Sequence, residues 1–477
     1  MKASFDVLDQ AWIPVVTLDG QIQTLGIRDT LCNAHKLKEI SDASPLKEYG
    51  IYRFLGLFIM DAIRPEDETD IEKLLSAGKF DMDVVEDYIR QCLDEGVSFD
   101  LFDDERPFLQ SRYDEKIDIK EKPVSVLDCT LPSGNNHMHF SHSLPEWMEA
   151  SEAIKLILTT YLFCTAAAQG YPSGVYGAPP FFGIIRGSNL YETMINTLYP
   201  INRINIPFDD PPVLWRRRSQ IKPKAEIADT SWLQGMLFPT RRIHLICDEN
   251  DHVRSVYLSQ GENYKNKDAW RDAYVTYRSN DKSFFPLRPH AGNPIWRNFC
   301  DIIDLPGNHA SQLLQLYRDI HDEGNVALTL YGVETNNASY LSAQRHDLAF
   351  PLSLIGEEST ALLNKCVSAE HKLRSSLYNN SMGIGVVGEA QVSSSVDEYE
   401  KICENQFWRV CDQLAGETGS YQIIYTEYCD IISEAAMQAF THLCQKVHLR
   451  AHNLVNAEKN RSRLYEDIQE LKKEAHL

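Results

Sequence analysis

Leu362-Leu363-Asn364-Lys365-Cys366-Val367-Ser368-Ala369-Glu370-His371-Lys372-Leu373-Arg374-Ser375-Ser376-Leu377 decides the fold class. Leu362, Cys366, Ala369, Leu373 and Leu377 recur at the three-or-four-residue spacing that lines one face of an α-helix. Three further stripes follow: Tyr399, Cys403, Phe407, Val410 and Leu414; then Ile432, Ala436, Phe440, Leu443 and Val447; then Leu454, Ala457, Leu464, Ile468 and Leu471. Each stripe is backed by a polar face, and breaks fall at Gly383 to Ser395 and at Ala415 to Ser420. Four such helices bury their stripes together as an antiparallel four-helix bundle, expected over residues 357–477.

Upstream the pattern is mixed. Short β-like runs at Trp12 to Thr17, Arg242 to Cys247 and Tyr274 to Tyr277 alternate with helical patterns at Pro45 to Ile63 and Glu149 to Ala168. Pro172, Pro179, Pro180, Pro207, Pro211 and Pro212 interrupt the middle of this region and imply irregular loops. Residues 1–356 are therefore expected to form a large α+β domain ahead of the bundle, a division that suits a chain of 477 residues better than a single core.

The apolar stretches Phe54 to Ile63 and Ile154 to Cys164 fall short of the roughly 18 residues of a membrane span. Asp6 and Asp9 sit where a secretory signal would be basic, so the expected location is the cytosol. The 11 cysteines run from Cys32 to Cys444 without a C-x-x-C pair, which argues for reduced thiols over a disulfide framework or a zinc ribbon. A formal charge of −21 opposes free-standing binding to phosphate backbones and demands a local cationic face if nucleic acid is the partner.

The chain carries no G-x-x-x-x-G-K-[ST], G-x-S-x-G or H-E-x-x-H motif. His346-Asp347 is the pair a metal-dependent phosphohydrolase would use, and equally a pair for a structural ion pair or hydrogen bond with a neighbour such as Arg345. Gly170-Tyr171-Pro172-Ser173-Gly174-Val175-Tyr176-Gly177 is either a loop whose backbone approaches a ligand or a plain irregular connection. Tyr331 to Asn337 reads as a turn. The densest positive run holds Arg216, Arg217, Arg218, Lys222, Lys224, Arg241 and Arg242 against Glu226 and Asp229. It suits a phosphate backbone or a solvated intersubunit face. Lys459, Arg461 and Arg463 read as the surface of a charged helix.

Several strings, in order along almost the whole chain, resemble the CasA family, the large subunit of the type I-E CRISPR Cascade complex. They are Phe5-Asp6-Val7-Leu8-Asp9-Gln10-Ala11-Trp12-Ile13-Pro14-Val15, Ser44-Pro45-Leu46 with Arg53-Phe54-Leu55, Arg106-Pro107-Phe108-Leu109-Gln110 and Leu131-Pro132-Ser133-Gly134-Asn135-Asn136. The glycine loop, Arg186-Gly187, Arg271-Asp272-Ala273-Tyr274, Pro286-Leu287-Arg288-Pro289, Trp296-Arg297, Asn336-Asn337-Ala338-Ser339 and Arg345-His346-Asp347 continue the series.

The resemblance implies a non-catalytic subunit at one end of a guide-RNA complex. Its partners would be CRISPR RNA, target double-stranded DNA, the backbone, small and guide-end subunits of Cascade, and a recruited helicase-nuclease, with no membrane and no cofactor. The family's role is to recognise the short motif flanking the target and to help open the duplex while base pairing reads the sequence. Carried over residue by residue, Phe140 stands in the loop that reaches the guide end, as a stacking ring or a hydrophobic anchor. Gly170, Gly174 and Gly177 mark the minor-groove loop, although Pro172 and Ser173 stand where relatives can have glycine. Asn337 takes the place of the wedge that parts the first base pairs, a glutamine in some relatives. Arg278, with Lys282 as the fallback, is the basic residue of the β-hairpin. Some relatives have a zinc-like cysteine cluster between the positions of Arg242 and Trp270; only Cys247 lies there in this chain, so no metal is expected.

Overall fold

The computed structural model describes residues 3–131, 144–163, 175–249, 252–266, 270–279, 283–290, 292–305, 307, 309–336, 339–416, 420–447 and 451–476. The chain divides into two compact units: Met1–Asn293 with Ala310–Asp322 and Val326–Ala349, and Pro294–His309 with Glu323–Asn325 and Phe350–Leu477.

The first unit is built on one central helix, Pro45–Ile63. Ser44 is extended and Pro45 opens the helix, where a missing N–H costs nothing; Arg64, at φ 53°, ends it in the left-handed region. Nearly every residue from Leu46 to Asp61 is buried, so this helix is core on all sides. Helices Ala150–Phe163 and Met82–Asp94 pack against it. Around it stand three-stranded sheets. In the first, Ile13–Thr17 lies between Ile22–Leu25 and Leu37–Ile40. In the second, Val253–Gln260 lies between Glu121–Pro123 and Arg241–Cys247. In the third, Asn325–Asn336 lies between Phe182–Arg186 and Ser339–Pro351. A separate antiparallel ribbon pairs Tyr277–Ser279 with Phe284–Pro286.

The structure corrects two local expectations. Tyr331 to Asn336 is not a turn but the end of the 12-residue strand Asn325–Asn336. Gly332 serves close packing: a Cβ there would meet Pro289 Cγ at 2.6 Å and Phe181 Cδ1 at 2.8 Å. The run Tyr274 to Tyr277 is strand only from Tyr277; before it, Val275 makes an isolated bridge to Phe182.

In the second unit the helices Glu357–Met382, Glu389–Ala415, Tyr421–Lys446 and Ala451–Ala475 form the bundle region. The stripe residues are buried except at helix ends, where Leu414 and Val447 are half-buried and Leu454 is 50% exposed. The fourth stripe begins instead with buried Asn453, Ala457 and Asn460, and Asn453 Nδ2 donates to the Ile384 carbonyl at 3.5 Å. The segment Pro294–His309 belongs to this unit. Its Arg297 reaches the fully buried Glu370 at 2.7 Å and Glu400 at 2.9 Å, and Trp296 packs on Phe407 with ring centroids 5.2 Å apart. No described helix is long and apolar enough to cross a membrane.

Candidate nucleic-acid interface

A helix that is apolar on all sides tolerates a charge only where a partner meets it. The central helix buries three such charges, Glu48, Arg53 and Asp61. Arg53, fully buried, forms a bidentate pair with Asp272: Nη1 donates to Oδ1 at 3.1 Å and Nη2 to Oδ2. Its guanidinium lies 4.1 Å from the Tyr274 ring centroid and 5.3 Å from that of Phe182, and Nη1 also donates to Met236 Sδ at 2.8 Å. Burial opposes this charge, but Asp272 and the surrounding phenols outweigh burial and hold the Arg53 pKa above its ordinary value. Burial likewise raises the Tyr274 hydroxyl to about 12, so it stays neutral and donates to the Thr197 carbonyl at 2.8 Å.

Asp272 gathers two further phenols. Tyr176, the residue before Gly177, donates its hydroxyl to Asp272 Oδ2, and the Asp272 N–H donates to the Tyr277 hydroxyl oxygen at 3.1 Å. Tyr277 opens the strand in which exposed Arg278 stands opposite Phe285. Gly177, at φ +83°, takes a backbone angle that favours glycine. Arg288 Nη2 donates to the Tyr176 carbonyl at 2.7 Å. The end of the glycine loop and the base of the Arg278 ribbon thus meet at one carboxylate.

Glu48 is the second charge. Its Oε1 accepts from the Tyr331 hydroxyl at 2.5 Å and from Arg345 Nη1 at 2.9 Å. Burial raises its pKa against the opposing pull of these two donors. One turn along, the Tyr52 hydroxyl meets Arg186, whose Nη2 also donates to Glu39 at 2.5 Å. Tyr331 and Arg345 lie on the two long strands Asn325–Asn336 and Ser339–Pro351, joined through residues 337 and 338. These two strands are neighbours in one three-stranded sheet.

Arg216 donates to Glu95 at 2.6 and 3.0 Å and lies 3.1 Å from Asp61, whose side chain is fully buried. Arg217 grips Glu262 through two bonds of 2.7 Å. Arg242 is buried against Asp118 at 3.0 Å, and Arg241 is buried beside it. Arg216, Arg217 and Arg242 are thus each held by a carboxylate of this chain. Arg218 alone of the triplet is exposed, and among the described residues it makes no hydrogen bond or ion pair. With Arg216 and Arg217 it lines an open cleft of about 740 Å³ whose wall also carries Glu95, Asp209, Asp229 and Glu262.

Adjacent strand residues point to opposite faces, and His346 and Asp347 do so. His346 is half-buried with its ring 5.7 Å from Phe181, and burial lowers its pKa. Asp347 is exposed and accepts from Thr329 at 2.7 Å, with Arg345 at 3.3 Å. The two do not converge on one ion, and no group of three or more His, Cys, Asp and Glu among the described residues is arranged to hold a metal. Phe140, Gly170, Gly174, Lys282 and Asn337 lie outside the described residues. Arg53, Asp272 and Arg345 stand in the family-like strings without a role that the sequence reveals; for Arg53 the available signal was a charge inside an apolar helix.

The chain is similar in structure to Cse1 of Thermobifida fusca, with a TM-score of 0.81 at 18% identity, covering 99% of this chain and 98% of that one. It is also similar to a chain of a CRISPR RNA-guided surveillance complex, with a TM-score of 0.78 at 17% identity over 97% and 100% of the two chains. A mixed unit followed by a helical unit is thus the Cse1 type of fold. In sequence the chain is 27% identical over 445 residues to CasA/Cse1 of Thermus thermophilus, covering 86% of this chain and 85% of that relative. The family model for CRISPR-associated protein Cse1 matches residues 6–443, and the chain belongs to that family.

Proposed function

We propose that this protein is the large, non-catalytic subunit of a CRISPR RNA-guided surveillance complex, where it recognises the motif flanking a double-stranded DNA target, helps open the duplex and offers a docking surface to a helicase-nuclease. The observation that carries this reading is the match to the Cse1 family over residues 6–443, joined by a likeness to a chain of such a complex over nearly all of both chains. In this reading the glycine loop of Gly170, Gly174 and Gly177 lies against the minor groove, Arg278 and Arg218 contact phosphate or groove edges, Asn337 is the wedge, and Phe140 meets the guide end.

A charge of −21 fits the same reading. Phosphate neutralisation supplies most nucleic-acid affinity, so other subunits would hold the DNA while this chain places a few residues in the groove. The test is duplex binding by the complete complex with and without this chain, at fixed salt. Flanked duplex is expected to bind tightly only when the chain is present. Equal binding without it overturns the proposal.

A further inference from the structure

The Asp272 carboxylate is shared by parts of the chain far apart in sequence. It accepts from Arg53 on the central helix, from the Tyr176 hydroxyl at the end of the glycine loop and from the Tyr274 backbone N–H at 2.9 Å. Its own backbone N–H holds Tyr277 at the base of the Arg278 strand. Asp272 and Arg53 are both fully buried, and a desolvated bidentate pair has few alternative arrangements, even with Arg53 Nε left without a partner among the described residues. Neither side chain has a surface with which to touch DNA.

We propose that Arg53 and Asp272 form a positioning node which, through Tyr176 and Tyr277, fixes the Tyr176-Gly177 end of the glycine loop and the Arg278 strand relative to one another so that they read the flanking motif as one unit. The inference rests on the recognition function proposed above. The Tyr176 hydroxyl on Asp272 and the Tyr176 carbonyl on Arg288 hold the described end of the loop, Tyr176-Gly177, from two sides. Without the node, Gly177 and the Arg278 strand are no longer held to one carboxylate. Contacts that must be made together are then lost, while those of the rest of the complex remain.

Replacing Arg53 would strand Asp272 and destabilise the whole unit, so the test is Tyr176→Phe. It deletes one hydroxyl and keeps the ring against Phe182 and Trp270, at centroid distances of 5.4 and 5.9 Å. In the complete complex, affinity for flanked duplex is expected to fall about tenfold, the loss of one hydrogen bond to a charged group. Affinity for single-stranded target, which needs only pairing with the guide, is expected to be unchanged. An equal fall on single-stranded target marks a merely structural role and overturns the proposal. So does undiminished preference for flanked duplex in Tyr176→Phe when the wild type shows that preference, which leaves the recognition function standing. A wild-type complex without any preference removes both.

Discussion

The central helix Pro45–Ile63 and the first bundle helix Glu357–Met382 each bury a charge, yet to different ends. In the bundle helix one stripe is buried and the rest faces solvent; its fully buried Glu370 ties Arg297, and with it the segment Pro294–His309, into the same unit. The central helix is buried on all sides; its Glu48 holds Tyr331 and Arg345 on the two long strands, and its Arg53 holds Asp272, on which Tyr176 and the base of the Arg278 strand meet. A buried ion pair adds little over an apolar core but costs heavily when halved. It therefore specifies position, in one helix for the unit's own packing and in the other for the surface that the proposed function uses.

That contrast is broken most severely by Arg53→Ala, which leaves Asp272 unpaired in a dry site and is expected to cost about 3–5 kcal/mol, read by urea denaturation. If Arg53→Ala melted like the wild type, the node would have no hold on the first unit. Arg297→Ala is expected to cost about 3 kcal/mol, the lower end of the same range, because Glu400 keeps Arg374 as a partner while Glu370 loses its own. A smaller pair of variants separates internal from surface arginines. Arg216→Ala strands buried Asp61 with only Arg64 and Tyr88 and should cost about 2 kcal/mol. Arg218→Ala should stay within about 0.5 kcal/mol of the wild type and instead lower the salt slope of duplex binding by the complex by about 1. Equal stability losses in the two would refute the division of the triplet.

The smallest effect is a pH dependence. Burial depresses the His346 pKa from the ordinary 6.5. The unfolded chain then takes the proton first, so the contribution of His346 is fully present above 6.5 and is lost as pH falls through the depressed value. Thermal melting at about pH 7.5 and about pH 5.5 should show a smaller acid-induced drop in His346→Gln than in the wild type. An identical drop contradicts a neutral, buried His346.

The bundle was legible because its four stripes repeat at helical spacing, and only the amino-terminal end of the last was misread, where Asn453 and Asn460 replace apolar residues on the buried face. The central helix was legible from its opening proline and its apolar run. The long strand past Tyr331 was not, since Gly332 and Asn336 carry local turn chemistry, whereas the glycine is there to admit Pro289 and Phe181. The arginine run misled for a related reason: composition near residue 216 shows few acids, but its partners Asp61, Glu95 and Glu262 come from distant parts of the chain. The ordered family strings named Arg53, Asp272 and Arg345, and only three-dimensional pairing gives those residues a task.

Whether this chain reads a flanking motif is measured most directly by a selection with the complete complex. The library holds duplex targets that share one guide-matched sequence and differ in the flanking bases, and the complex carries either wild-type chain or Asn337→Ala. A narrow set of enriched flanks is expected with the wild type and a weakened enrichment with the variant. Flat enrichment with the wild type would contradict the proposed recognition.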